Sequence, residues 1–476
     1  MSVRDVQLSR VAERHGVATA YEDWRGRRVP VSPDTIRHVL TALGVDPTDP
    51  DAAPGRGPLP PAVVVREGKA PDLVLPEGAR SSVETSDGAL LPFDPGLPLG
   101  VHTLRVTDQG TEHDAPLLVV PDRIDPSALR ENPRLWGLMA QIYSVRSRAS
   151  WGTGDLRDLS ELAEWSARDL GADFTLINPV HATEPDTPLE PSPYLPVSRR
   201  YASPLYVRVE DVPEYARLDP SQREGIQRLA RPLRERGRTA DLLDRDAVWE
   251  AKRTALEILF QVARAPGREE SLRHYLEREG QPLVEFATWS ALAEEHGSDF
   301  RTWPSELRDV GSLTVGRKAL ELWPRVEFHR WLQWILDEQL GQAQGSALDS
   351  GMDVGIVHDL AIGVQGGGAD AWMYGDALVH GLHVGAPPDE FNQRGQDWGQ
   401  PPGTRPAWPS WATAPSARSS PRGCGTRAAC GWTTSWACSG CGASPRGPPP
   451  TRAPTSASTT RAWWARWCWR PGAPTR

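Results

Sequence analysis

With 53 Lys and Arg against 62 Asp and Glu, the 476-residue chain carries a net charge of −9, and it has no basic stripe laced with aromatics. That balance argues against a nucleic-acid partner. The first ten residues lack the apolar stretch of a signal peptide, and no later run approaches the roughly 20 apolar residues of a membrane span, so a soluble, cytoplasmic protein without membrane contact is expected.

The length predicts two or three domains, but the averages conceal a break near residue 400. All five cysteines (Cys424, Cys430, Cys438, Cys441 and Cys468) lie beyond it, as do ten arginines. The same segment contains no Asp, Glu or Lys and no Leu, Ile, Val, Met, Phe or Tyr. Residues 1–400 therefore hold 53 − 10 = 43 basic and all 62 acidic residues, a net charge of −19.

In chain order, residues 1–46 read as a small helical element. Ser32-Pro33 supplies an N-cap and first-turn pair, and Ile36, Val39, Leu40 and Leu43 follow at helical spacing before Gly44. A Pro/Gly/Asp linker spans 47–61. Over 62–125 the short runs AVVVRE, DLVLPE, HTLRVTD and APLLVV, punctuated by turns, predict an antiparallel β-sandwich. No aromatic platform marks these strands, which favours a spacer or stabilising role over a ligand-binding one.

From residue 126 the pattern becomes α/β. LWGLMAQIYSV (135–145) and DFTLINPV (173–180) read as strands buried on both faces, flanking a helix with Leu159, Leu162, Ala163 and Leu170 on one side. Residues 212–342 read as a charged helical insertion in which Phe328, Trp331, Leu332 and Ile335 form an inward stripe, and MDVGIVHDLAIGV (352–364) gives a third strand. The spacing predicts the first strands of an interrupted (β/α)8 barrel over 126–402, whose functional groups belong on loops after the strands' C-terminal ends.

Three such loops carry candidate chemistry. One contains Ser192, Pro193 and Tyr194; a second begins at His358-Asp359; a third, GAPPDEFNQRGQDWG (385–399), holds Asp389, Phe391, Asn392, Gln396 and Trp398. Flat aromatic faces beside carboxylate and amide groups are what a sugar site requires. Singly each residue has a plainer reading: Asp359 as a helix N-cap, Tyr194 as a half-buried turn residue, Trp398 as a core anchor.

The order SPY, then HDLAIG, then GAPPDxFxxxGQxWG, with GLMAQIYSVRS…WGTGDL and FHRWLQW, resembles the amylomaltases, the 4-α-glucanotransferases of glycoside hydrolase family 77, over residues 1 to about 400. The resemblance implies a TIM-type barrel acting on maltooligosaccharides and other α-1,4-glucans without a cofactor. By position it implies that Ser192, Tyr194, Asp389, Gln396 and Trp398 contact donor and acceptor sugars, in a loop that overhangs the active site. Asp359 would shape the subsite around the cleaved bond; His358 receives no role.

The family's chemistry is retaining transfer, in which one carboxylate attacks the anomeric carbon and a second, about 5–5.5 Å away, protonates the leaving oxygen. The nucleophile belongs in an R-x-D-H-x-x-G motif at the end of strand four, with the acid/base and a third acid on later strands. None is present, since no Asp or Glu follows Asp397.

The genetic code accounts for this. In the neighbouring reading frame each codon joins the last base of one residue to the first two of the next. Trp432-Thr433 then forces GAC, aspartate, and Trp436-Ala437 forces GGC, glycine, four positions later. Residues 429–442 can be read as LRVDHVMGLFRLW, and Trp411-Ala412 forces a glycine where L-G-Y-x-P-F is expected. Residues 403–476 are accordingly read as an out-of-frame, disordered tail. With no aliphatic side chain beyond Ala such a tail builds no ordinary core, and its cysteines lack the paired C-x-x-C spacing and His of a metal site. The expected product is a 4-α-glucanotransferase whose present chain is truncated and inactive. The alternatives are a non-catalytic glucan-binding fragment and a related α-glucan hydrolase.

Overall fold

The computed structural model describes residues 3–49, 59, 60, 62–69, 71, 73–85, 88–123, 134–239, 242–403 and 442–445. Contacts divide these into two compact units: 3–123 with 376–403 and 442–445, and 134–375. No described helix is long and apolar enough to cross a membrane.

The first unit begins with helix α1 (Val3–Arg14), a short hairpin of β1 (Ala20–Glu22) and β2 (Arg28–Pro30), and α2 (Pro33–Ala42). Ser32 caps α2 as its sequence predicts, its Oγ accepting the Thr35 N–H at 3.1 Å. Ile36, Val39 and Leu40 are buried. Leu43, expected on the same stripe, is exposed, because the helix stops one residue earlier and Leu43 becomes its C-cap before Gly44 at φ +76.

Strands β3 (Val63–Arg66), β4 (Arg80–Glu84), β5 (Leu90–Leu91), β6 (Gly100–Asp108) and β7 (Thr111–Val120) form one five-stranded sheet in the order β3-β7-β6-β4-β5. The expected antiparallel sandwich is corrected here among the described residues: β3 runs parallel to β7, and no second sheet faces this one. The physical reason lies in the connections. Residues 73–76, expected as a strand, lie between prolines and pair with nothing in the sheet; Leu73 and Leu75 instead pack with Leu59, Phe93, Leu97 and Leu99 over the apolar face. Irregular chain supplies the second layer.

The second unit contains the parallel strands β8 (Gly137–Ala140), β9 (Phe174–Ile177) and, after the insertion, β12 (Gly355–His358), in the order β12-β9-β8. Helix α3 (Leu156–Leu170) links the first two. It opens with a capping box between Asp155 and Asp158 and closes at Gly171 in the left-handed conformation. The strands are shorter than their apolar runs suggest. After Ala140 the Asn178 side chain takes the Ile142 N–H at 2.7 Å, and the chain turns into a 3₁₀ segment at Ile142–Ser144. Burial on both faces fails for β8, where Met139 is 76% exposed; β8 stands at the sheet's edge among the described residues.

Between β9 and β12 come a two-stranded ladder of β10 (His181–Ala182) and β11 (Ser198–Ala202), then helices α4 (Pro220–Thr239), α5 (Arg245–Phe260), α6 (Pro266–Glu279), α7 (Gln281–His296), α8 (Leu313–Glu321) and α9 (Trp323–Asp349). Phe328, Trp331, Leu332 and Ile335 are buried in a core that also takes in Trp151, Trp249, Trp289 and Trp303. Two amides of α9 grip the strap leading away from β11. Gln333 accepts the Ala202 N–H at 3.0 Å and donates to its carbonyl at 2.9 Å, and Gln339 does the same at Arg208, with both bonds at 2.9 Å. The buried Arg208 guanidinium pairs with Asp155 at 2.5 Å and Asp158 at 2.9 Å, tying the strap to the start of α3. Beside them the buried Lys252 ammonium donates to the Leu205 and Val207 carbonyls at 2.7 and 2.8 Å.

After α10 (Ala369–Met373) the chain returns to the first unit as a hairpin of β13 (Leu382–Ala386) and β14 (Gln396–Gln400). The backbone of β15 (Gly442–Pro445) pairs antiparallel with the other side of β13. The expectation of a disordered tail falls on residues 403–476, of which only Gly403 and 442–445 are described. Over 442–445 the backbone makes a β ladder with β13, and the rest of that expectation lies outside the described residues.

Candidate active site

At the C-terminal end of the parallel sheet, Asp359 follows β12 directly. Its N–H donates to the Ile177 carbonyl of β9 at 3.0 Å, which fixes the aspartate at the mouth between the two strands. It is 4% exposed. One carboxylate oxygen accepts the Leu360 N–H at 2.8 Å and the other accepts the Tyr194 hydroxyl at 2.7 Å. No helix starts at Asp359, so the N-cap reading does not describe it. Burial, and then the hydrogen bond to Asp359, hold the Tyr194 phenol far above its ordinary pKa, so it remains a donor.

Tyr194 sits in the turn that begins at Ser192, whose Oγ accepts the Tyr194 N–H at 3.3 Å. The Ser192 N–H in turn donates to Glu190 at 3.0 Å. Three of the expected residues, Ser192, Tyr194 and Asp359, are thus connected through hydrogen bonds, and the Tyr194 ring is 41% exposed beside them. A shallow cleft borders this turn, lined by Tyr143, His181, Glu190, Ser192, Pro193 and Arg245 among others.

Sequence reading did not single out two residues that shape this mouth. His181 accepts the Ala361 N–H at 3.3 Å, and Arg199 donates to the Ala361 and Ile362 carbonyls at 3.3 and 2.7 Å. Together they hold the chain leaving Asp359. Burial lowers His181 to about 3, with help from Arg199 and His358, and burial lowers His358 to about 4. Both imidazoles are therefore neutral at neutral pH. The only local sign of this was the polar cluster Ser198-Arg199-Arg200 beyond the SPY turn; the contacts span some 160 residues of sequence, beyond any local pattern.

The remaining three residues belong to the hairpin of the first unit. Asp389 is committed to its own turn, its Oδ1 accepting the Phe391 and Asn392 N–H groups at 2.8 and 2.5 Å. Gln396 and Trp398 alternate onto one face of β14, where the indole N–H donates to the Gln396 oxygen at 3.2 Å. Phe391 at the loop tip is 92% exposed. At the base, Gly385 lies so close to β14 that a Cβ there would meet the Gln396 carbonyl at 2.0 Å. Among the described residues no group of three or more His, Cys, Asp or Glu side chains is placed to hold a metal ion.

The mixed α/β fold is matched by the crystal structure of amylomaltase from Corynebacterium glutamicum, with a TM-score of 0.81 at 34% identity, covering 97% of this chain and 70% of that one. In sequence, the glycoside hydrolase 77 family, described as 4-alpha-glucanotransferase, matches residues 140–407. The chain belongs to that family. It is 43% identical over 440 residues to the 4-alpha-glucanotransferase of Mycobacterium tuberculosis, covering 83% of this chain and 60% of the relative. It is 35% identical over 329 residues to that of Haemophilus influenzae, covering 65% and 46%. The chain therefore spans about 60% of the length of its mycobacterial relative.

Proposed function

We propose that the gene encodes a cytoplasmic 4-α-glucanotransferase that disproportionates maltooligosaccharides, moving a segment of a 1,4-α-D-glucan onto glucose or another 1,4-α-glucan. The scaffold is an interrupted (β/α)8 barrel, of which β8, β9 and β12 are the opening strands. Transfer is by retaining double displacement. Ser192, Tyr194 and Asp359 at the strand ends, and Asp389, Gln396 and Trp398 on the hairpin, are its sugar contacts. Tyr194 keeps the Asp359 carboxylate aimed and presents its ring to a pyranose face.

The present chain is inactive, because its nucleophile, acid/base and third acid are not spelled in this reading frame. The carrying observation is that the family match stops at residue 407, where the composition breaks. Further junctions support the same reading. In the neighbouring frame Trp463-Trp464 and Trp467-Cys468 each force valine, Trp464-Ala465 forces glycine, and Cys468-Trp469 forces leucine. A segment with no Val or Leu in its own frame thus acquires both, the residues a barrel core is made from.

The test uses maltotriose. The purified chain is expected to release no glucose, whereas the product of a gene carrying one inserted nucleotide near the Gly403 codon is expected to yield glucose and longer maltodextrins. Turnover by the unaltered chain would show that the catalytic acids lie within it and end this account.

A further inference from the structure

The hairpin β13–β14 shares its hydrophobic core with the N-terminal helices and groups with them, apart from the parallel strands of the second unit. Val379 and Leu382, at the hairpin's foot, are buried in one cluster with Leu8 and Val11 of α1 and Val39 and Leu40 of α2. His38 on α2 lies 3.3 Å from the Gly381 carbonyl through its Nε2. The foot is closed by the Val379 N–H donating to Pro402 at 2.8 Å and by the bridge between Leu378 and Gly403. Above it the ladder is irregular at Val384 and Gly385. The loop that follows is stitched mainly by Asp389 to its own turn. Its support comes from this foot and from the β15 backbone ladder along Leu382–Gly385.

We propose that the N-terminal helical element is the base that sets this hairpin. Leu40 and Val379 are then positioning residues for Asp389, Gln396 and Trp398, acting on glucan binding without touching sugar. The N-terminal element is part of the recognition apparatus through its core, and its loss reads out at the loop. This rests on the reading of those three residues as sugar contacts.

The experiment uses the full chain as parent and as Leu40→Ala, Leu40→Met and Val379→Ala variants, followed by hydrogen exchange and by retardation in an amylose affinity gel. In Leu40→Ala, exchange over 382–400 is expected to quicken at least tenfold, while 174–177 and 355–358 keep the parent's rates. Retardation by amylose is expected to weaken several-fold, and Leu40→Met is expected to restore both. Val379→Ala, which leaves α1 and α2 intact, makes the same cut from the hairpin side and decides the matter where Leu40→Ala loses its helices. Unchanged exchange over 382–400 in both alanine variants overturns the proposal, as does an equal rise across the second unit, which marks general destabilisation. A parent indifferent to amylose overturns the sugar-contact reading instead, and the exchange rates then still decide whether the helices hold the hairpin.

Discussion

The Tyr194 hydroxyl donates to the Asp359 carboxylate across 2.7 Å, joining two residues 165 positions apart in the chain. Asp359 is nearly enclosed, and Tyr194 covers it on the solvent side with a ring that remains accessible. The pair places an acidic group and an aromatic face at one strand end.

Tyr194→Phe removes this bond and keeps the ring. A hydrogen bond to a charged group contributes about 1.5–3 kcal/mol, most of it the cost of leaving a buried acceptor short of a donor. Urea unfolding followed by tryptophan fluorescence is expected to show a loss in that range, with the amplitude of the transition retained.

Arg208→Met is expected to cost about 3–5 kcal/mol, since it leaves Asp155 and Asp158 buried without their shared cation. The urea midpoint checks this. A loss below about 1 kcal/mol would mean that Lys252 alone offsets both carboxylates.

Gly154 in the WGTGDL segment approaches the chain after β8 so closely that a Cβ would lie 1.9 Å from the Ile142 carbonyl and 2.2 Å from that of Val145. Both obstacles are backbone, which cannot rotate away. Gly154→Ala is therefore expected to destabilise by about 1–3 kcal/mol or more, read as a lower melting temperature. Gly225→Ala, inside α4 with nothing within 4 Å, is the contrasting control and is expected to raise the melting temperature slightly.

Glu294 governs one acid limb of stability. Burial raises its pKa, but hydrogen bonds and charge from His329 and Arg325 outweigh this and hold it at about 2, against an ordinary 4.5. The unfolded chain therefore binds the proton more readily, and the contribution is complete above pH 4.5 and disappears as the pH falls from 4.5 to 2. Glu294→Gln is expected to differ most from the parent near neutral pH and to converge on it over that interval. Urea midpoints at pH 7, 5, 4 and 3 supply the comparison; a gap that persists undiminished at pH 3 rejects the assignment.

Local pattern made some of this legible. Ser32-Pro33 announced α2, the Phe328–Ile335 stripe announced the buried face of α9, and the apolar run before His358-Asp359 announced a strand end. Each is a short-range rule of period or capping. Pattern failed where pairing partners are distant. The Leu73–Pro76 run is as apolar as a buried strand yet finds no ladder, and Met139 lies in an apolar run yet faces outward from an edge. The roles of His181 and Arg199 exist only once β10–β11 lies beside the chain after β12. The kinship of the hairpin with the N-terminal helices was equally hidden, since Leu40 and Val379 stand 339 positions apart (379 − 40) and no periodicity spans them.

The two glutamine grips on α9 have a consequence for how this lineage can change length. Gln333 and Gln339 are six residues apart, as are their targets Ala202 and Arg208. Adding one residue to the helix between them would swing the second amide by about 100° around the axis, away from the strap. A change of length over this stretch of helix therefore costs one of the two grips unless the strap changes by a matching count.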